Sequence, residues 1–166
     1  EKAGQELEGL LFPMLEKALA ALPVAKPMRW ASNEFSFIRP VHWLVAMHGS
    51  KVLTGGLFGL QAGNSTRGHR IHSPGSHEIA TAGDYEQVLN SACVVADQVK
   101  RQDMIEQQTI ALGESAGGRA LIDGSLLEEV SNLVEWPRSI CGSFDDEFLE
   151  VPDEAFMIMI LNESAM

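Results

Sequence analysis

The chain has 166 residues, 45% of them hydrophobic and 21% charged, which suits one folded domain with its own core and excludes a disordered segment. Its formal net charge of −11 argues against bulk attraction to nucleic acid, so any RNA contact must run through a local basic patch while the acidic surface serves solubility. Cys93 and Cys141 stand far apart with no CxxC pair, a usage that suits a reducing cytoplasm, and no apolar run approaches the roughly 20 residues of a membrane span.

The sequence begins at Glu1 without an initiator Met or a signal segment and passes straight into a helical pattern, as a piece of a longer protein would. We divide it into an N-terminal helix leading in over residues 1–26 and an α+β module over 27–166. Leu7, Leu10, Leu11, Met14, Leu15, Ala18 and Leu22 recur at three-four spacing, predicting an amphipathic helix over Glu1–Leu22 in which Pro13 makes a kink or starts a second helix. Pro23 and Pro27 end it, with Val24–Met28 extended. After the turn signal Ser32-Asn33-Glu34, strands are expected at Val41–His48, Lys51–Leu60 (with a bulge or bend at Gly55-Gly56), Arg67–Ile71 and Glu78–Ala82, with Gln61–Ser65 and Ser73–Ser76 as loops. Asp84 is placed to cap a helix over Tyr85–Ser91, and Cys93–Ala96 is a brief β-like run. A long helix follows over Gln98–Ser115, stopped by Gly117-Gly118. Asp123 or Ser125 caps the next, whose stripe is Leu126, Leu127, Val130, Leu133 and Val134, with Ser125 and Glu128 spaced as a capping box. Pro137 ends it, Ser139–Phe144 is a strand, and Pro152 starts a last helix. The fold class expected is α+β, a mixed or largely antiparallel sheet flanked by helices, with Trp43 and Trp136 in the core.

Neither catalytic nor phosphate-loop motifs occur: there is no GxSxG, GxxxxGK[ST] or helix-opening GxGxxG. His69, His72 and His77 cluster in the sequence, but no HExxH or paired CxxC accompanies them, and on a strand His69 and His72 would face opposite sides; no metal site is expected. His42 reads as a hydrogen-bonded, half-buried structural residue and Cys93 as a small core residue. The concentrated positive charge is Arg67, His69, Arg70 and His72, directly after Gly63-Asn64-Ser65-Thr66, where guanidinium forks suit phosphate and sugar. The competing reading pairs Arg67 and Arg70 with the chain's carboxylates.

An ordered set of phrases runs along nearly the whole chain: Leu22-Pro23, Pro27-Met28-Arg29-Trp30, Phe37-Ile38-Arg39-Pro40-Val41-His42, Gly59-Leu60, Arg67-Gly68-His69-Arg70 and Val95-Ala96-Asp97. Gly117-Gly118, Leu126-Leu127-Glu128-Glu129-Val130, Leu133-Val134-Glu135-Trp136-Pro137 and Phe148-Leu149-x-Val151-Pro152 continue it. In this set the chain resembles the β subunit of the bacterial, two-chain glycyl-tRNA synthetase. It departs from the family pattern at Ile160–Met166, where a Gln-Lys-Tyr-Phe-like segment is expected.

The resemblance implies a cytoplasmic heterotetramer that joins glycine to tRNA-Gly with ATP and Mg²⁺ through an aminoacyl-adenylate formed on the α subunit. This stretch would lie upstream of the HD-like and anticodon-binding domains of the β chain, in the part compared with the B3/B4 module of phenylalanyl-tRNA synthetase. Glycine is the smallest amino acid, so a size sieve against larger ones is hardly needed and no hydrolytic editing is expected here. The resemblance thus implies a non-catalytic module without its own cofactor, whose partners are the α subunit, tRNA-Gly and the remaining β domains. Arg67, His69 and Arg70, with Arg39 behind them, are the expected RNA-facing residues. Two rivals are a purely structural interaction module and, last, a residual editing hydrolase.

Overall fold

A computed structural model describes residue 4, residues 6–143 and residue 145. Helix α1 (Leu7–Ala20) starts later than the periodicity predicts and runs through Pro13, which loses the bond to the Gly9 carbonyl without ending the helix. Its inner stripe is apolar: Phe12 is buried with Leu53 and Leu57, and Leu11, Leu15 and Leu19 pack around them. An ion pair of 2.9 Å between Glu8 and Lys51 joins α1 to the strands. The Lys51 ammonium, through its hydrogen bond and then its charge, holds Glu8 below the usual carboxylate range.

The strands that follow are β1 (Met28–Arg29), β2 (Ser36–Phe37), β3 (Leu44–Val45), β4 (Met47–His48), β5 (Lys51–Val52), β6 (Gly56–Leu57), β7 (Leu60–Gly63), β8 (Ser65–Arg67) and β9 (Ser76–Glu78). The fold is α+β as expected, its largely antiparallel strands divided among four small sheets in the described residues: β1-β2, β3-β7-β6, β4-β5 and β8-β9. All pairings are antiparallel except β3 with β7. The predicted strand Val41–His48 divides at Ala46, where the backbone changes partner: Ala46 N donates to Gly63 O at 3.2 Å, and Ala46 O accepts from Leu53 N at 2.9 Å. The predicted loop at Gln61 is instead the central strand β7, reached through a two-residue turn at Phe58-Gly59. Both turn residues have positive φ, 54° and 75°, which is the type I′ geometry that matches strand twist. The Phe58 ring packs with Trp30, Phe35 and Phe37 at centroid distances of 6.0, 6.4 and 5.2 Å, and this cluster offsets the unfavourable φ of a non-glycine residue.

Helix α2 (Tyr85–Ser91) forms as predicted, but Asp84 acts differently: its carboxylate accepts from Thr81 N and Oγ1 and so secures a 3-10 turn over Ala82–Asp84. Cys93–Ala96 is a loop with Cys93 at φ 58°, not a strand. Helix α3 (Gln98–Ser115) has the predicted bounds, and Gly117 follows it at φ 79°. Asp123, not Ser125, caps helix α4 (Gly124–Leu133) by accepting from Leu126 N at 2.9 Å. Ser125 Oγ donates to Asp123, and that bond, ahead of the Leu126 amide, holds the carboxyl below its ordinary range. Residues 139–143 form no strand; Phe144 and the predicted helix from Pro152 lie outside the described residues.

Asp97 caps α3 by accepting from Val99 N at 2.8 Å and Lys100 N at 3.2 Å. Asp97→Ala should cost about 1 kcal/mol and Asp97→Asn a few tenths, read as the hydrogen-exchange protection of α3 amides. Equal losses in the two variants would contradict this capping role.

Candidate nucleic-acid interface

In β8 the buried residue is Thr66, so period-two alternation turns Ser65 and Arg67 away from the core, and Arg67 is exposed. The Arg67 guanidinium carbon lies 5.5 Å from the centroid of the Trp43 ring, a cation-π contact. Trp43 was expected in the core; it is 43% exposed, because it precedes β3 at the rim of the sheet rather than lying within it. Trp136 is half-buried, while His42 is exposed and has no hydrogen bond among the described residues, which corrects its structural assignment.

His69 and Arg70 lie in the loop between β8 and β9, not on the predicted strand. Loop placement brings the His69 and His72 rings together at 4.5 Å instead of setting them on opposite faces. His69 is a loop staple as well: its Nδ1 accepts from Ile71 N and His72 N, both at 3.2 Å, while its backbone N donates to Ala92 O at 2.8 Å. Nε2 is the ring nitrogen left over for a ligand. Arg70 is exposed, and Arg39, also exposed, follows β2 on a different hairpin. Among the described residues no ion pair engages Arg39, Arg67 or Arg70; the two present are Glu8–Lys51 and Glu86–Lys100. The alternative in which carboxylates of this chain neutralise Arg67 and Arg70 is therefore not what the described residues form.

Ser73 Oγ and His77 Nε2 lie 3.3 Å apart, a contact the sequence did not suggest. Nε2 is also 3.4 Å from the carbonyl of Ser73 itself, and no carboxylate among the described residues orients the ring, so the contact ties the loop and does not make a nucleophile–base pair. Among the described residues no group of three His, Cys, Asp or Glu side chains could hold a metal ion, and no helix is long and apolar enough to cross a membrane. A depression of about 590 Å³ beside His77 carries Glu78 and Asp84 on its walls, a sign of charge that repels phosphate. Arg67 is the cation beside Trp43, and the register that sets Glu78 opposite Ser65 puts Glu78 on the same face of the β8–β9 hairpin as Arg67.

The chain matches the family model described as the glycyl-tRNA synthetase beta subunit over residues 1–164. It is 46% identical over 158 residues to the glycine–tRNA ligase beta subunit of Hahella chejuensis, covering 95% of this chain and 23% of that one. The corresponding protein of Chromohalobacter salexigens is 45% identical over 157 residues, again 95% of this chain and 23% of the relative. That of Moorella thermoacetica is 43% identical over 151 residues, 91% and 22%. The chain thus spans about a quarter of the length of these curated relatives. With the α+β architecture and a match along almost all of its length, the chain belongs to the glycyl-tRNA synthetase beta subunit family.

Proposed function

We propose that this chain is a non-catalytic part of the β subunit of a cytoplasmic glycine–tRNA ligase, where it helps to hold the acceptor arm of tRNA-Gly. The α subunit carries the ATP- and Mg²⁺-dependent chemistry. The observation that carries this reading is Arg67, exposed over Trp43 and unpaired among the described residues, three positions before the equally exposed Arg70 in a chain of net charge −11. An exposed guanidinium that no carboxylate of the described residues engages is free to meet an anion, and phosphate suits its fork bidentately. Arg39 and the Nε2 of His69 are secondary candidates for the same contact.

The test is tRNA-Gly affinity of the complete two-chain enzyme across a salt series. Arg67→Ala with Arg70→Ala should weaken binding about tenfold at low salt and make the log–log salt slope shallower by about 2, one per phosphate lost. Unchanged affinity and slope would refute the contact. A second reading, an interaction module docked on the α subunit or other β domains, is favoured by the exposure of Leu121 (77%), Leu133 (69%) and Ile140 (90%). Association with the α subunit that is insensitive to salt and weakened by polar substitutions there would support that role.

A further inference from the structure

Trp43 and Tyr85 both line a groove of about 390 Å³ whose floor includes Leu44, Val45, Met47 and Ile79. The two aromatic residues are 43% and 40% exposed, whereas Ile79 is fully buried. No charged side chain is among the lining residues. The walls are tied together by backbone geometry. Ile79 N donates to Asn64 O at 2.8 Å and Asn64 Nδ2 donates back to Ile79 O at 3.2 Å, which fixes the chain after β9 to the β7–β8 junction. Ala82 N donates to Gly49 O at 2.8 Å, which fixes the turn before Tyr85 to the β4–β5 hairpin. The groove is thus formed before any ligand arrives, and binding need not order its walls.

Arg67 stands over the Trp43 ring but does not line the groove, so the cation sits beside the uncharged slot and not within it. A ligand suited to this arrangement has a flat apolar face to enter the slot and an anion attached a few bonds away. A base in a helix is stacked and paired and cannot present its face, whereas an unpaired one can. An apolar peptide would fill the slot without calling on Arg67. Resting on the RNA-contact reading above, we propose that the Trp43–Tyr85 groove takes an unpaired base of the bound RNA, with its flanking phosphate on Arg67. The lining side chains are aromatic and aliphatic, while backbone polar atoms and the Tyr85 hydroxyl supply about half of the exposed surface, so Trp43 and Tyr85 offer stacking to a splayed base and the polar atoms can meet its edge.

The test uses the complete two-chain enzyme and measures its dissociation constant for tRNA-Gly at several salt concentrations. Trp43→Leu and Tyr85→Leu should each weaken binding about tenfold with the salt slope unchanged, because stacking releases no counterions. Trp43→Phe should restore most of the affinity. Tyr85→Leu removes the far wall and leaves the Arg67–Trp43 contact in place, so it separates stacking from any disturbance of the guanidinium. Wild-type affinity in both leucine variants, with a shallower slope in Arg67→Ala, would overturn the groove and leave the phosphate contact standing. Wild-type behaviour in all of them would remove the RNA reading and the groove with it. A loss of α-subunit association or of thermal stability with unchanged tRNA affinity would overturn the proposal by showing that protein covers the groove.

Discussion

Gly55→Ala should lower the stability of the α1–β6 region by about 3 kcal/mol, since two costs of about 1–3 kcal/mol each fall on one residue. The first is conformational: Gly55 has φ 151°, a region open in practice to glycine alone. The second is steric: a Cβ at this position would overlap Cδ2 and Cε2 of Phe12, whose ring is buried against Leu53 and Leu57. Gly55 O also accepts from Ala62 N at 2.8 Å, so relief by backbone movement would break into β7. Hydrogen exchange of the Leu57–Gly63 amides in the β chain is the measurement, with protection expected to fall while that of α3 stays. Phe12→Leu added to Gly55→Ala should recover part of the loss, because it makes room for the methyl group, and the unrecovered part is the φ strain. Full protection in Gly55→Ala would mean that the α1 contact with β6 does not govern this region.

What could be read in the sequence depended on element length. Helix α3 spans 18 residues, has an Asp cap before it and a glycine after it, and its bounds match the expectation. Most strands are only two residues long, too short for period-two alternation to develop, so hairpins and partner changes decided the architecture. Ala46, where the chain changes from β7 to the residue after β5, looks like any other apolar position in its run. The position of the turn at Phe58-Gly59 could not be read, because phenylalanine is an unexpected I′ residue and is held there by a cluster drawn from β2 and the turn before it. The same holds for the site. Arg67 and Arg70 were visible as charge, but Trp43 read as core, and only the three-dimensional pairing with Arg67 marks it as surface. Tyr85 carried no signal, since its place in the groove follows from the Thr81–Asp84 turn.

Arg101→Met should release α4 and the segment after it, at a cost of about 3 kcal/mol, the upper range for hydrogen bonds made by a charged group. In the sequence Arg101 is one charge among several on a polar helix. In the fold its Nε donates to Ser131 O at 2.9 Å, and its Nη1 donates to Val95 O at 2.6 Å and Ala96 O at 2.9 Å. One side chain thus joins α3 to the loop before it and to α4, where Ser131 is fully buried. The rest of the α3 inner face works in the same way. Gln108 Oε1 accepts from Ser139 N at 2.9 Å, and Thr109 Oγ1 lies 3.2 Å from Ser139 Oγ. A helix with no fully buried residue is therefore attached largely by polar side chains to backbone, and removing the central one takes the guanidinium from the part-buried carbonyls of Ser131 and Val95. Arg101→Lys should recover only about half, because an ammonium carries charge but lacks the planar fork that reaches two elements at once. Limited proteolysis and hydrogen exchange of residues 124–139 read the result directly, with the β6–β7 hairpin as an internal reference. If the methionine variant kept wild-type protection over α4, packing alone would hold the two helices together. If lysine matched arginine, charge and not the fork would be the operative feature.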